Sequence, residues 1–240
     1  MLEIIAETIE DARIIEKGGG ERIELVSSLS EGGLTPSYGM VKSILLEVSI
    51  PINVMIRPHS KSFNYSKEDI RVMKEDARIF QELGVKHVVL GILDYEGLPD
   101  VATMDEVLKD TTFNVTYHRA IDESSDVMKS LEILEDYNRV THILTSGGPG
   151  MAMDNLEVLK EMVKTSKRLT IIAASGLSHG NLRAIENELE FEKESIDGEL
   201  SFDFHVGTAV RGGSVKSPVK IEEVKSLVDI YRHNGKKEKW

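Results

Sequence analysis

The chain has 240 residues, a formal net charge of −12 and no cysteine. The missing cysteines exclude disulfides, thiolate metal sites and cysteine nucleophiles. The acidic balance argues against nucleic acid as a partner, because a phosphate backbone is bound by clustered Lys and Arg, which gather here only in the short tail Lys236–Lys239.

Eight short apolar segments recur along the chain: Leu2–Ala6, Arg22–Val26, Ile52–Arg57, His87–Gly91, Asn114–His118, Thr141–Thr145, Leu169–Ala173 and Asp203–Gly207. Each is followed by a loop and then a helix-period stretch. Strand-then-helix units at a spacing of roughly 30 residues predict an α/β chain, a single (β/α)8 TIM barrel over residues 1–240 with 232–240 a frayed tail. Ser66 with Asp69 forms a capping-type start, and Ile70, Met73, Ala77, Phe80 and Leu83 then trace one apolar stripe. Leu156, Leu159, Met162 and Val163 repeat the pattern, with methionines that read as packing. The acidic run Glu186–Glu199 reads as a helix extension and a solvated loop, and Ser217-Pro218 as the opening of the last helix. No stretch approaches the about 18 apolar residues of a membrane span, and the start of the chain has no signal-peptide pattern, so no membrane partner and a cytoplasmic location are expected.

Strand alternation says which side chains enter the barrel, since the outer face of every strand must be apolar to pack on helices. In the second strand Ile23 and Leu25 point out, so Arg22, Glu24 and Val26 point in; in the third, Asn53, Met55 and Arg57 point in. By the same parity Thr116 and His118, then Asp203, His205 and Gly207, face the lumen. Glu24, Arg57, His118 and His205 are therefore candidate catalytic residues. The bland alternative is a salt-bridged plug, with Arg22 or Arg57 on Glu24. Position favours a site, because Arg57 and His118 are read as the last residues of their strands, at the end of a TIM barrel where chemistry is done. His59, His87, His142, His179 and His233 read as ordinary core or surface residues.

Glycine-rich loops flank the same mouth. Ser27–Gly39 and Ser146–Gly150 expose backbone N–H groups, and Ser175-Gly176 and Gly207-Thr208 follow strands seven and eight, where many barrels hold a phosphate. Arg57 and Arg119 make this mouth cationic, so a small anionic ligand is favoured. The candidate ligand-binding set is Arg119, Asp122, Thr145, Ser146, Gly147, Gly148, Ser175, Gly176, Gly207 and Thr208.

Arg22-Ile23-Glu24-Leu25, Glu31-Gly32-Gly33-Leu34-Thr35-Pro36-Ser37, Met55-Ile56-Arg57-Pro58 with Tyr65-Ser66, Val72-Met73 and Glu75-Asp76, Tyr117-His118-Arg119-Ala120 with Asp122, Ile143–Gly148 and Phe204-His205 together closely resemble the CutC family of copper-homeostasis proteins. The resemblance runs from the first strand to the eighth. It implies a cytoplasmic TIM barrel, a homo-oligomer, with a part in copper handling. Family members often carry Cys at the position of Val26, and without it the soft donors that remain are Met55 and imidazoles, a poor set for Cu(I). Three readings stay open: a copper-handling protein, which the resemblance favours; an enzyme acting on a small anionic or phosphorylated metabolite, with Glu24 or His118 as general acid or base; and a divalent-metal enzyme using Glu24, His118 and His205, against which the neighbouring arginines count.

Overall fold

The structure, a computed structural model, describes residues 1–194 and 202–232. Eight parallel strands, β1 (Leu2–Ala6), β2 (Arg22–Leu25), β3 (Ile52–Met55), β4 (His87–Leu90), β5 (Asn114–Tyr117), β6 (Val140–Thr145), β7 (Thr170–Ala173) and β8 (Phe202–Val206), close into a barrel in chain order. A helix follows each: α1 (Ile9–Gly18), α2 (Tyr38–Glu47), α3 (Lys67–Glu82), α4 (Val101–Val107), α5 (Val127–Glu135), α6 (Leu156–Thr165), α7 (Leu182–Glu194) and α8 (Ile221–Arg232). This is the (β/α)8 TIM barrel expected from the alternation of strand and helix patterns. Among the described residues no helix is long and apolar enough to cross a membrane.

The outer core explains the helices. In α3 the Ser66 hydroxyl accepts from the Asp69 N–H while the Asp69 carboxylate accepts from the Ser66 N–H, and Ile70, Met73, Ala77 and Phe80 form the buried stripe. Leu159, Met162 and Val163 do the same in α6. They meet Leu2, Ile4, Ile23, Leu25, Val54, Val88, Val115, Ile171 and Phe204 from the outward parity of the strands in one continuous cluster. Each fully buried aliphatic side chain stabilises the fold by roughly 1.5–3 kcal/mol.

Most strands differ from the sequence expectation by one residue at one or both ends, and three boundaries differ for a specific reason. β3 ends at Met55, because the Arg57 N–H donates to the Thr35 hydroxyl, 2.8 Å away, instead of to the neighbouring strand. β5 ends at Tyr117, because His118 caps a 3-10 turn over Arg119–Glu123. Arg57 and His118 thus stand just beyond their strands. The last helix begins at Ile221 and not at Pro218, since the Val219 N–H donates to Asp11 (3.1 Å) and the Lys220 N–H to the Val210 carbonyl (2.9 Å), which holds that stretch against α1. Asp11 is itself buried and paired with Arg211 at 3.0 Å. Of the acidic run Glu186–Glu199, α7 takes the part to Glu194; the remainder lies outside the described residues, as do His233 and the basic tail.

Inside the barrel the side chains are layered. At the strand N-terminal end Arg22 lies between two carboxylates, 2.6 Å from Glu3 and 2.8 Å from Asp203. Asn53 donates to the same Glu3 oxygen at 2.9 Å, and His87 meets Thr116 at 2.9 Å with the His142 ring beside it. A plug does exist, then, but Arg22 builds it with Glu3 and Asp203, not with Glu24. Above it Ile5, Val26, Met55 and Val89 form a small apolar cluster of their own.

Removing the shared cation should leave two buried carboxylates facing each other. Arg22→Met is expected to destabilise the fold by about 3–5 kcal/mol in urea denaturation. A loss below about 1 kcal/mol would show that the layer does not hold the barrel floor.

Candidate active site

Above the apolar cluster the barrel opens into a cavity of about 730 Å3. Its wall carries Glu24, Arg57, His118 and His205 together, the four candidate catalytic residues among those that strand parity directs inward, along with Arg119, Asp122, Ser175, Gly176, Gly207 and Thr208. Thr145, Ser146, Gly147 and Gly148 are not on the wall. They are buried behind it, where the Thr145 hydroxyl and the Ser146 N–H and hydroxyl donate to the Asp122 carboxylate. Asp122 in turn accepts from Arg119 Nε at 2.8 Å, and Arg119 Nη2 reaches the Ser146 hydroxyl at 3.0 Å. This loop is occupied by a protein carboxylate, and the charge of Arg119 is largely balanced.

Arg57 is differently placed. Its Nη1 donates to the carbonyls of Glu31, Gly32 and Gly33 at 3.2–3.3 Å, and its guanidinium lies 4.6 Å from the centre of the Phe63 ring. Carbonyls and a ring face orient the cation without cancelling its charge. Its Nε is buried with no hydrogen-bond partner among the described residues.

His118 is pinned. The Ala120 N–H donates to its Nδ1 at 3.2 Å, the Phe63 ring lies 4.9 Å from its centre, and Gly91 leaves the space the imidazole fills. A Cβ at Gly91 would stand 2.4 Å from Nδ1, so no other residue fits there without moving the ring. Burial, with the Arg57 charge adding to it, pulls the imidazole down to a pKa of about 3. A neutral ring whose Nδ1 accepts carries its proton on Nε2, and that atom is buried without a hydrogen-bond partner among the described residues.

Glu24 completes the set. Its Oε2 lies 3.7 Å from His205 Nε2, while His205 Nδ1 bonds Glu3 Oε1 at 2.8 Å. Its Oε1 is buried and unpartnered. Burial pushes the Glu24 carboxyl up; the His205 charge opposes this, nearby Glu3 reinforces it, and the result is about 7. For His205, burial alone would lower the pKa, but the Glu24 charge and the hydrogen bond to Glu3 outweigh it and raise the group. Glu3 is held well below the usual range, because Arg22 and His205 together overcome its burial.

Parity reasoning missed Glu3, although the same rule applied to β1 puts Glu3 and Ile5 inward. It also missed Phe63 and Tyr65, whose phenol is pushed up to about 12 by burial, because a loop carries no period.

The metal candidates regroup. Donor atoms of Glu3, Glu24 and His205 lie within 4.8 Å of one another, and His118 is not in the group. Glu3 already serves Arg22, Asn53 and His205, so any cation would replace these partners beside a guanidinium. With carboxylates, the imidazoles of His118 and His205, and the Met55 thioether as the only sulfur on the cavity wall among the described residues, the donors do not fit soft copper.

The raised carboxyl makes a signed prediction. An acid shifted from 4.5 to about 7 binds its proton more tightly when folded, so its contribution is fully present below the unfolded value and is lost as pH rises through about 7. His205, also raised, acts in the same direction. Relative to Glu24→Gln, which stays neutral, the wild type should lose on the order of 1–3 kcal/mol between about pH 5 and about pH 8 in chemical denaturation. A difference independent of pH would refute the assignment.

The CutC family model matches residues 1–191. The human copper homeostasis protein cutC homolog is 36% identical over 207 residues, covering 85% of this chain and 72% of the relative. A CutC family protein of Vibrio campbellii is 34% identical over 209 residues, 85% of this chain and 84% of its own. The crystal structure of CutC from Streptococcus agalactiae superposes with a TM-score of 0.76 at 30% identity, over 87% of this chain and 98% of that one. Phosphoribosyl anthranilate isomerase from Thermococcus kodakaraensis aligns at a TM-score of 0.61 and 13% identity over 96% of this chain and 98% of its own, a likeness of fold alone. With sequence similarity at this level along most of its length and the same closed barrel, the chain belongs to the CutC family.

Proposed function

We propose that the cavity is the active site of an enzyme that transfers protons on a small anionic substrate. One observation carries this reading: Glu24 Oε1, Arg57 Nε and His118 Nε2 are all buried, all on residues of one cavity wall, and all without a hydrogen-bond partner among the described residues. An unpaired buried polar atom costs roughly 1–3 kcal/mol, and a ligand in the cavity would satisfy three of them at once. The types are complementary: a base of near-neutral pKa, a cation and a neutral N–H donor.

Copper homeostasis, the role in the human relative's name, is on this reading exercised through that chemistry and not by carrying copper in the barrel. The donor set supports this separation, because soft Cu(I) prefers thiolates and thioethers and the chain has no cysteine.

Inorganic phosphate, sulfate or small carboxylates should raise the melting temperature of the wild type and leave Arg57→Met unmoved, since a ligand stabilises only the form it binds. If Cu or Zn salts shift the protein and no anion does, the reading fails. In a separate competition against a strong Cu(I) chelator the protein should retain no copper. Stoichiometric copper that is lost on Met55→Leu or His118→Ala would restore direct coordination.

A further inference from the structure

Resting on the reading of the cavity as an acid–base site for an anion, the geometry narrows the chemistry further. The wall offers Ser175 and Thr208 as hydroxyls and no lysine. The Ser175 hydroxyl donates to the Gly150 carbonyl at 3.1 Å, and neither hydroxyl has an imidazole hydrogen-bonded to it. A covalent intermediate on a hydroxyl or an amine of the wall therefore has no activated nucleophile to form it. What the wall does offer is one buried carboxylate with a free oxygen, Glu24, and, apart from it, an imidazole fixed as an Nε2–H donor by the Ala120 N–H behind it. Ile5, Met55, Phe63, Leu144 and Val206 line the cavity with them, an apolar setting that strengthens the carboxylate as a base toward carbon.

We propose that the site interconverts a 2-hydroxy aldehyde and a 2-hydroxy ketone that bear a phosphate or carboxylate group, by a proton shift between neighbouring carbons. Glu24 Oε1 takes the proton from the hydroxyl-bearing carbon, and the C–H electron pair forms the new carbon–carbon double bond. The carbonyl π pair moves onto its oxygen, which accepts the hydrogen bond from His118 Nε2 under the positive charge of Arg57. His118 gives its Nε2 proton to that oxygen and recovers one from the neighbouring hydroxyl. Glu24 then returns its proton to the former carbonyl carbon. Atoms and electrons balance without an oxidant or a co-substrate. A single base on one face suits this suprafacial shift, whereas epimerisation at one carbon needs a second free base opposite, and His205 is engaged by Glu3 at Nδ1 and faces Glu24 with Nε2 at 3.7 Å. A neutral imidazole as the electrophile is also the form whose proton affinity matches an enediol; the depressed pKa of His118 agrees with it.

The test is deuterium wash-in from D2O, followed by NMR, with the full chain and three probes: ribose 5-phosphate, erythrose 4-phosphate and glucuronate, the last separating carboxylate from phosphate recognition. At least one probe should exchange at the carbon next to its carbonyl about tenfold or more above the protein-free rate. Glu24→Gln should abolish this exchange, and His118→Phe should lower it by about a hundredfold, the scale of general acid–base catalysis. Exchange with none of the probes, or exchange that survives Glu24→Gln, overturns the proposal. Thermal protection by inorganic phosphate, run beside it, tells the two readings apart. Protection that depends on Arg57 without any exchange removes the carbon chemistry and keeps the anion site. No protection and no exchange removes both.

Discussion

The contact on which the rest of the barrel interior depends is the buried pair of Glu3 and Arg22, 2.6 Å apart. Glu3 stays ionised at the barrel floor because Arg22 and His205 overcome its burial, with Arg22 and Asn53 both donating to one of its oxygens. Its other oxygen faces His205 Nδ1 and orients that ring, so that Nε2 is the atom turned to Glu24. The ionised Glu3 also adds to the burial that keeps the proton on Glu24 up to near-neutral pH. A floor that reads as structural therefore sets the protonation of the residue above it. Plug and site, posed as alternatives by the sequence, are two ends of one chain of contacts.

Parity along the strands made Glu24, Arg57, His118 and His205 legible before any coordinates, since an outward apolar set leaves the other parity no choice. The same rule overlooked Glu3, because Leu2–Ala6 looks like an unbroken apolar strand in which one acid is easily passed over. Loops were read less well. The glycines after β6 look like a ligand cradle, but backbone N–H groups bind whichever acceptor is nearest, and Asp122 occupies that place. Its three-residue separation from Arg119 was visible; that its carboxylate turns toward Ser146 was not. Phe63, which contacts both Arg57 and His118, lies in a segment where neither helix nor strand period assigns a direction. Gly91 reads as an ordinary strand end until the register beside β5 shows that its missing Cβ is the space for an imidazole.

The two mouth arginines show why a count of charges is a poor guide to where an anion binds. Arg119 has a buried carboxylate at 2.8 Å, and in a partly exposed setting that pair is close to neutral from outside. Arg57 is buried and held by carbonyl dipoles and an aromatic face, so it keeps its charge where the dielectric is low and the field is strong. A chain of net charge −12 can in this way present one uncancelled guanidinium inside a cavity that Glu24, Glu31, Asp122 and Glu123 also line, because Arg57 is confined where it has no carboxylate partner.

Energetics ties the site to function more firmly than residue type does. A barrel of this size has a net stability of about 5–15 kcal/mol, and three unpaired buried atoms at roughly 1–3 kcal/mol each are a large share of it. Leu or Met in place of Glu24, Arg57 and His118 would fill the same volume without that cost, and the Glu3–Arg22 layer would still close the floor. The polar trio is thus not needed to hold the barrel together. A soft metal does not account for it either, since Arg57 repels a cation and His118 presents a proton where a ligand lone pair would be required. An anion that develops negative charge on oxygen satisfies all three atoms at once: it receives donors from Arg57 and His118, and it offers an acidic hydrogen to Glu24.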